Sequence, residues 1–218
     1  MAVLTWDDIG TKEYEVGVSK GVLFTYNSTT SKWDGEAWQG LTNVTESPDG
    51  GDAEDFYADN ILYASIRGIE NLNGSIECYM YPDTFEECIG HKELIPGVRI
   101  GQQARKVFGL AYVTNIGNDT NPEAGVKYHL VYNCTANAAE MSHDTSEDSP
   151  SLEPFSFDFD SNPVPVTGAK ATSSVVIDSR NLTSAQITAL EGALFGTTST
   201  TSYLPYPDDL TTLLASGT

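Results

Sequence analysis

Apolar side chains recur with a period of two along most of this sequence, and that spacing restricts it to a fold built from strands. Phe155, Phe157 and Phe159 alternate with Ser156, Asp158 and Asp160, the cleanest amphipathic strand in the chain. Tyr14, Val16, Val18, Val22, Phe24 and Tyr26 share one face of a long strand. Glu15, Gly17, Ser19, Gly21 and Thr25 occupy the other, with Leu23 the apolar exception. Phe108, Leu110 and Tyr112 alternate with Gly109, Ala111 and Val113. Val126, Tyr128, Leu130 and Tyr132 mark a return strand with Lys127 and His129 opposite. Residues 36–46 and 164–178 add two further candidates, the second bulged near Gly168.

The stretch from Phe56 to Phe85 reads as a central hairpin. Ile61, Tyr63 and Ser65 point one way and Leu62, Ala64 and Ile66 the other, so both faces carry apolar groups and the strand is expected to be buried on both. Ile76, Cys78 and Met80 alternate with Glu77, Tyr79 and Tyr81 in its partner. Asn71, Asn73 and Gly74 supply the expected turn, because Asn and Gly tolerate positive φ. Phe85–Ile89 fits one helical turn. A longer helix is expected over about 184–195. There Thr183 and Gln186 form a capping box, Ile187, Leu190 and Leu194 make an apolar stripe, and Gly196 closes the end. Residues 1–13, with Trp6 as the one anchor, and residues 196–218 read as terminal arms on a 14–195 core.

Charge narrows the function. The 218 residues carry 31 acidic against 11 basic side chains, a net charge of −20. Specific phosphate binding is disfavoured, since it is driven by Lys and Arg releasing counterions. Arg99, Arg105 and Lys106 form the one tight basic cluster, and carboxylates of this chain or of a second copy are its natural partners. Cys78, Cys88 and Cys134 have no metal-ligand spacing and are expected to be reduced. MAVLTWDDIG lacks the basic and apolar regions of a signal peptide, and no apolar run reaches membrane-spanning length, so no membrane insertion is expected.

Chemistry is sparse. His91, His129 and His143 lie in unrelated contexts, and no Ser or Cys sits in a nucleophile-elbow setting. DGGDAED, from Asp49 to Asp55, lacks the regular spacing of a calcium loop. No catalytic residue, metal ligand or cofactor is assigned.

YADNILYASIRG, SIECYMYPDTFEECIG, PGVRIGQQARKVFGLAY, GNDT and YHLVYN follow one another in an order that resembles the major tail proteins of long-tailed bacteriophages, the tail tube subunits. The resemblance runs from about Trp6 to about Pro207. It implies a mainly β fold, an antiparallel sandwich or barrel-like core flanked by one helix, with extended loops and arms. It implies a virion protein, assembled in the host cytoplasm, whose hexameric rings stack into a tube for DNA ejection. Its partners would be further copies of itself and the tape measure, tail terminator and distal tail proteins, with phage DNA passing unbound. In that family an extended early loop meets the adjoining ring, which would place the role on Asn27, Ser28, Thr29, Thr30, Ser31, Lys32, Trp33 and Asp34. Trp33 either folds back on the sheet or anchors a neighbour. Lumen-facing positions would be small, polar or acidic, as Glu15, Ser19, Asp158 and Asp160 are. The alternative is a β-sandwich carbohydrate-binding module on a virion or cell surface, using exposed Trp and Tyr.

Overall fold

The computed structural model describes residues 4, 6–29, 31–50, 53–68, 70–143, 145 and 152–215, and of Arg67 the backbone alone. The fold is mainly β and antiparallel, as expected. One eight-stranded sheet dominates. Its strands are β1 (Glu13–Asn27), β2 (Lys32–Trp38), β3 (Leu41–Gly50), β6 (Glu70–Cys78), β9 (Phe108–Asn118), β10 (Gly125–Ala136), β11 (Phe155–Ser161) and β12 (Ser174–Asp178). They run in the order β2-β1-β9-β10-β11-β6-β3, and β12 pairs with β10. Two hairpins stand outside it: β4 (Ala53–Ala58) with β5 (Ile61–Arg67), and β7 (Lys92–Ile95) with β8 (Val98–Ile100). The sheet is rolled. Tyr112 on β9 donates a 2.7 Å hydrogen bond to Glu46 on β3, the last strand in the order.

Rolling creates an inner and an outer core. Phe108, Leu110, Phe157, Phe159, Ile76 and Trp38 fill the inner side, closed at one end by the single-turn helix α1 (Phe85–Cys88). Val22, Phe24, Ala111, Val113, Tyr128 and Leu130 face outward under α2 (Ser184–Phe195) and α3 (Pro207–Ala215). β9 and β10 both contribute side chains to both cores, so these two strands, not the 61–66 segment, are buried on both faces.

Bulges decide which residues go where. β1 shifts register twice against β9, between Val16 and Ser19 and between Ser19 and Val22, with φ of 78° at Gly17 and 48° at Lys20. Each one-residue bulge reverses the alternation. Leu23 and Val18 thus join the inner core while Val22 and Phe24 join the outer one, which corrects the single-face reading of β1. A third bulge at Asn133 (φ 46°) moves Cys134 to the inner side while Tyr132 stays outside.

Local signals behave as expected in α2. Thr183 accepts from the Gln186 backbone N–H at 3.3 Å, and the Gln186 side chain accepts from the Thr183 N–H at 2.9 Å. Leu190 and Leu194 are buried. Cys78, Cys88 and Cys134 are free thiols, all buried, and burial pushes Cys78 up to about 11 and Cys88 to about 12.

Three further expectations are corrected. Asn71, Asn73 and Gly74 are not a turn but lie inside β6, all three paired with β3 and the latter two also with β11. The turn is Asp59–Asn60, with φ of 51° and 61°, and it joins β4 to β5. Residues 36–46 divide between β2 and β3, turning at Gly40 (φ 85°). Residues 204–215 are no free arm. Leu204 and Leu210 are buried in the outer core, Tyr132 donates to the Pro205 carbonyl at 3.1 Å, and Gln186 donates to the Leu214 carbonyl at 2.8 Å.

Candidate assembly interface

The β4–β5 hairpin is the strongest unexplained feature. Phe56, Tyr57, Ile61, Leu62, Tyr63 and Ile66 are between 43% and 77% exposed. By strand alternation they lie on both faces of a two-stranded ribbon. Such a ribbon is marginal in water without a packed partner, and a cluster of six large apolar groups is more than single scattered exposure. β3 and β6 stay paired up to Gly50↔Glu70, so the β4–β5 hairpin is an excursion from a position where a tight turn would suffice.

The basic cluster sits beside α1. Arg99 reaches Asp83 at 3.4 Å and Glu86 at 3.1 Å, and Lys106 pairs with Glu87. Phe85 anchors this turn in the core, stacked edge-on against Phe108 and Phe157 at 5.4 and 5.2 Å. Two of the three cations thus have carboxylates within the chain. Arg105 pairs with no carboxylate among the described residues and lines a groove with Gln102, Gln103 and Met141. Arg105→Glu is expected to weaken self-assembly while leaving the melting temperature of the isolated subunit within about 2 °C, since an exposed charge away from packing changes stability by under ~0.5 kcal/mol. Arg99→Ala should do the reverse, lowering the melting temperature slightly while leaving self-assembly unchanged. Sedimentation and thermal melts of both variants check the ranking.

The 27–35 segment is a hairpin corner rather than an extended loop. Asn27 pairs with Lys32, and its side chain holds Asp34 at 2.7 Å and the Thr29 N–H at 2.9 Å. Lys32, Trp33 and Asp34 belong to β2. Trp33 is 7% exposed and packs in the outer core, with its indole N–H donating to the Tyr206 hydroxyl at 2.8 Å. It folds back, so it is no exposed anchor for a neighbour. Ser28, Thr29 and Ser31 form the corner, and Thr30 lies outside the described residues.

The four candidate lumen residues divide. Glu15 lies on the inner side of the sheet, where it accepts from Thr114 at 2.6 Å, pairs with Lys127 and meets His129 at 3.3 Å. The Lys127 and Thr114 hydrogen bonds hold its carboxyl below the usual range. Ser19 donates to the Val113 carbonyl at 3.3 Å between the two β1 bulges. Asp158 and Asp160 are exposed on β11, opposite buried Phe157 and Phe159, and so point away from the inner core. Glu15 and the two aspartates therefore face opposite sides of the sheet and cannot line one wall together.

No protein-family model matches the chain, and no curated protein matches it. Among solved structures it is similar to a chain of the sheath/tube terminator, in the extended state, of an extracellular contractile injection system, PVC. That match has 11% identity and a TM-score of 0.34, covering 75% of this chain and 97% of that one. It is also similar to a chain of the PVC sheath–tube complex in the extended state, at 10% identity, a TM-score of 0.32, and 73% and 88% coverage. Neither score is high enough to fix a family or a role.

Among the described residues, no group of three or more His, Cys, Asp or Glu is placed to hold a metal ion. No described helix is long and apolar enough to cross a membrane. His91 pairs with Glu86, and His129 stacks on Tyr112 at 4.6 Å while lying 3.9 Å from Glu46. Among the described residues, neither histidine is hydrogen-bonded to a serine or cysteine. The exposed features of this surface include the apolar β4–β5 ribbon and Arg105, which pairs with no carboxylate among the described residues.

Proposed function

We propose that this chain is a structural subunit of a phage-type tail. It closes into homohexameric rings that stack into a tube, and DNA passes through that tube without specific binding. The observation that carries this reading is the β4–β5 hairpin, an excursion with apolar groups on both faces that only another chain would cover. A heterologous contact of this kind gives rings when its rotation closes. The reading assigns no catalysis and no cofactor. It places the protein in the virion tail after assembly in the host cytoplasm, with the tape measure, tail terminator and distal tail proteins as further partners. Negative-stain electron microscopy of the purified protein tests it: rings or tubes are expected, and a uniformly monomeric species would refute it.

The acidic charge fits a conduit. Each cation on a lumen wall would pair with phosphate and release counterions, and such contacts sum steeply. Carboxylates repel DNA over roughly 8 Å at physiological salt. Asp158 and Asp160 are exposed on a strand whose other face is packed, so they are the better wall candidates. Replacing both by Lys is expected to permit assembly and slow DNA ejection from otherwise normal particles. A tube structure placing β11 on the outer surface would remove this assignment.

A carbohydrate-binding module remains the second reading, favoured by a cavity of about 570 Å³ beside Trp33, Tyr203 and Tyr206. Such a module should elute as a small species and bind oligosaccharides. The Trp33 indole counts against it, because its N–H is already used and its ring is largely covered.

A further inference from the structure

The aromatic cavity of about 570 Å³ lies where the β1–β2 corner meets α3. Its wall includes Lys32, Trp33, Tyr203, Tyr206, Asp209 and Leu213. One apolar floor and two opposite charges make a site for a group with an apolar body, a polar handle and an adjacent anion. Asp209 accepts one bond from the Tyr206 backbone N–H at 3.2 Å, and a carboxylate has capacity for more. Lys32 has no carboxylate partner among the described residues.

The N-terminal segment offers the matching group. Trp6 is 76% exposed, Leu4 74% and Ile9 87%. The anions Asp7 and Asp8 directly follow Trp6. Asp7 comes only within 4.0 Å of Lys12. The segment is fixed at its base, where Gly10 donates to Asp119 at 2.9 Å and Asn118 donates to the Gly10 carbonyl at 3.2 Å.

Geometry excludes the chain's own cavity. The base of the segment is at the Glu13 end of β1, paired with Asn118, and the cavity is at the Asn27 end, paired with Lys32. Fifteen strand residues separate these ends, roughly 45 Å at ~3.3 Å per residue. Trp6 lies seven residues before Glu13, a reach of at most ~25 Å. A second copy placed end to end has no such limit.

We propose that the N-terminal segment of one copy docks in the cavity of the next. The Trp6 ring lies against Tyr203, Tyr206 and Leu213, its indole N–H donates to Asp209, and Asp7 and Asp8 approach Lys32. The contact joins opposite ends of two identical chains, so it is heterologous and propagates along β1. It rests on the self-assembly reading and gives that reading a specific link in the direction of stacking.

The test uses the full chain carrying Trp6→Ala, whose own segment cannot compete. A fluorescent synthetic peptide of residues 4–12 is titrated against it and followed by anisotropy. A second protein adds Thr212→Trp at the exposed rim of the cavity, which fills the site without touching the core. Saturable binding to the first protein and at least a roughly tenfold loss with the second are expected, a Trp anchor being a typical hot spot. In parallel, Trp6→Ala should raise the concentration needed for assembly by roughly tenfold or more. Equal peptide binding to both proteins, or none to either, overturns the inference. Displacement of the peptide by an oligosaccharide, with assembly unchanged by Trp6→Ala, also overturns it and assigns the cavity to sugar. If the wild-type chain never assembles, the tail reading fails while the peptide titration still decides this one.

Discussion

A chain in which residues 51–69 are replaced by an Asn-Gly turn is expected to fold normally and to lose assembly altogether. Gly50 and Glu70 are already cross-strand partners, and β3 and β6 stay paired from there towards Leu41 and Cys78. A two-residue turn with positive φ restores a tight connection between strands in that register. None of the described residues of the deleted segment belongs to either core. The cost to the fold should therefore stay within about 1 kcal/mol. Assembly should suffer far more. Each large apolar side chain covered by a neighbour is worth ~1.5–3 kcal/mol before association costs, so losing even two removes ~3–6 kcal/mol per contact. That shifts assembly by two to four orders of magnitude in concentration, at ~1.4 kcal/mol per tenfold. Circular dichroism and sedimentation velocity decide it. Tubes formed at the wild-type concentration would dismiss the hairpin as the assembly element. An unfolded product would instead assign it a part in folding the core.

Gly74→Ala should be the most damaging single substitution of a small residue. Gly74 sits mid-strand in β6, between Glu46 of β3 and Phe159 of β11. A Cβ there would lie 2.4 Å from the Thr45 carbonyl oxygen and 2.4 Å from the tip of the Phe159 ring. The ring could turn, but it is 1% exposed and packed against Phe108 at 6.2 Å. The carbonyl belongs to the neighbouring strand and can move only if the ladder opens. Overpacking of this kind costs ~1–3 kcal/mol, and two simultaneous clashes put it at the upper end. At ~2–4 °C per kcal/mol for a chain of this size, the melting temperature should fall by roughly 6–12 °C. Gly50→Ala is the control. It meets nothing nearer than 3.5 Å and should change the melting temperature little. Equal melting temperatures for both variants would mean that β6 has slack there.

What the sequence determined by itself is what depends on neighbours a few residues away. The Thr183–Gln186 capping box fixes the start of α2, because both of its hydrogen bonds close within four residues. The alternation from Phe155 to Asp160 places three phenylalanines on one face of β11, because a strand has no other way to arrange them. The short turn at Phe85–Cys88 was legible for the same reason. Tertiary structure alone decided the rest. Ile61–Ile66 has the pattern of a central strand, yet it forms an exposed ribbon. Apolar groups on both faces say that both will be covered, not whether the cover is the same chain. Gly74 has the composition of a turn, yet it is a clearance between three strands, and those strands are distant in sequence. Trp33 and residues 204–215 sit in polar surroundings and read as loop and arm, but they complete each other at the outer core. A one-residue bulge at Gly17, Lys20 or Asn133 reverses the facing of everything beyond it. Those bulges arise where β1 and β10 must each satisfy β9 while the sheet rolls, and only the folded sheet imposes that condition.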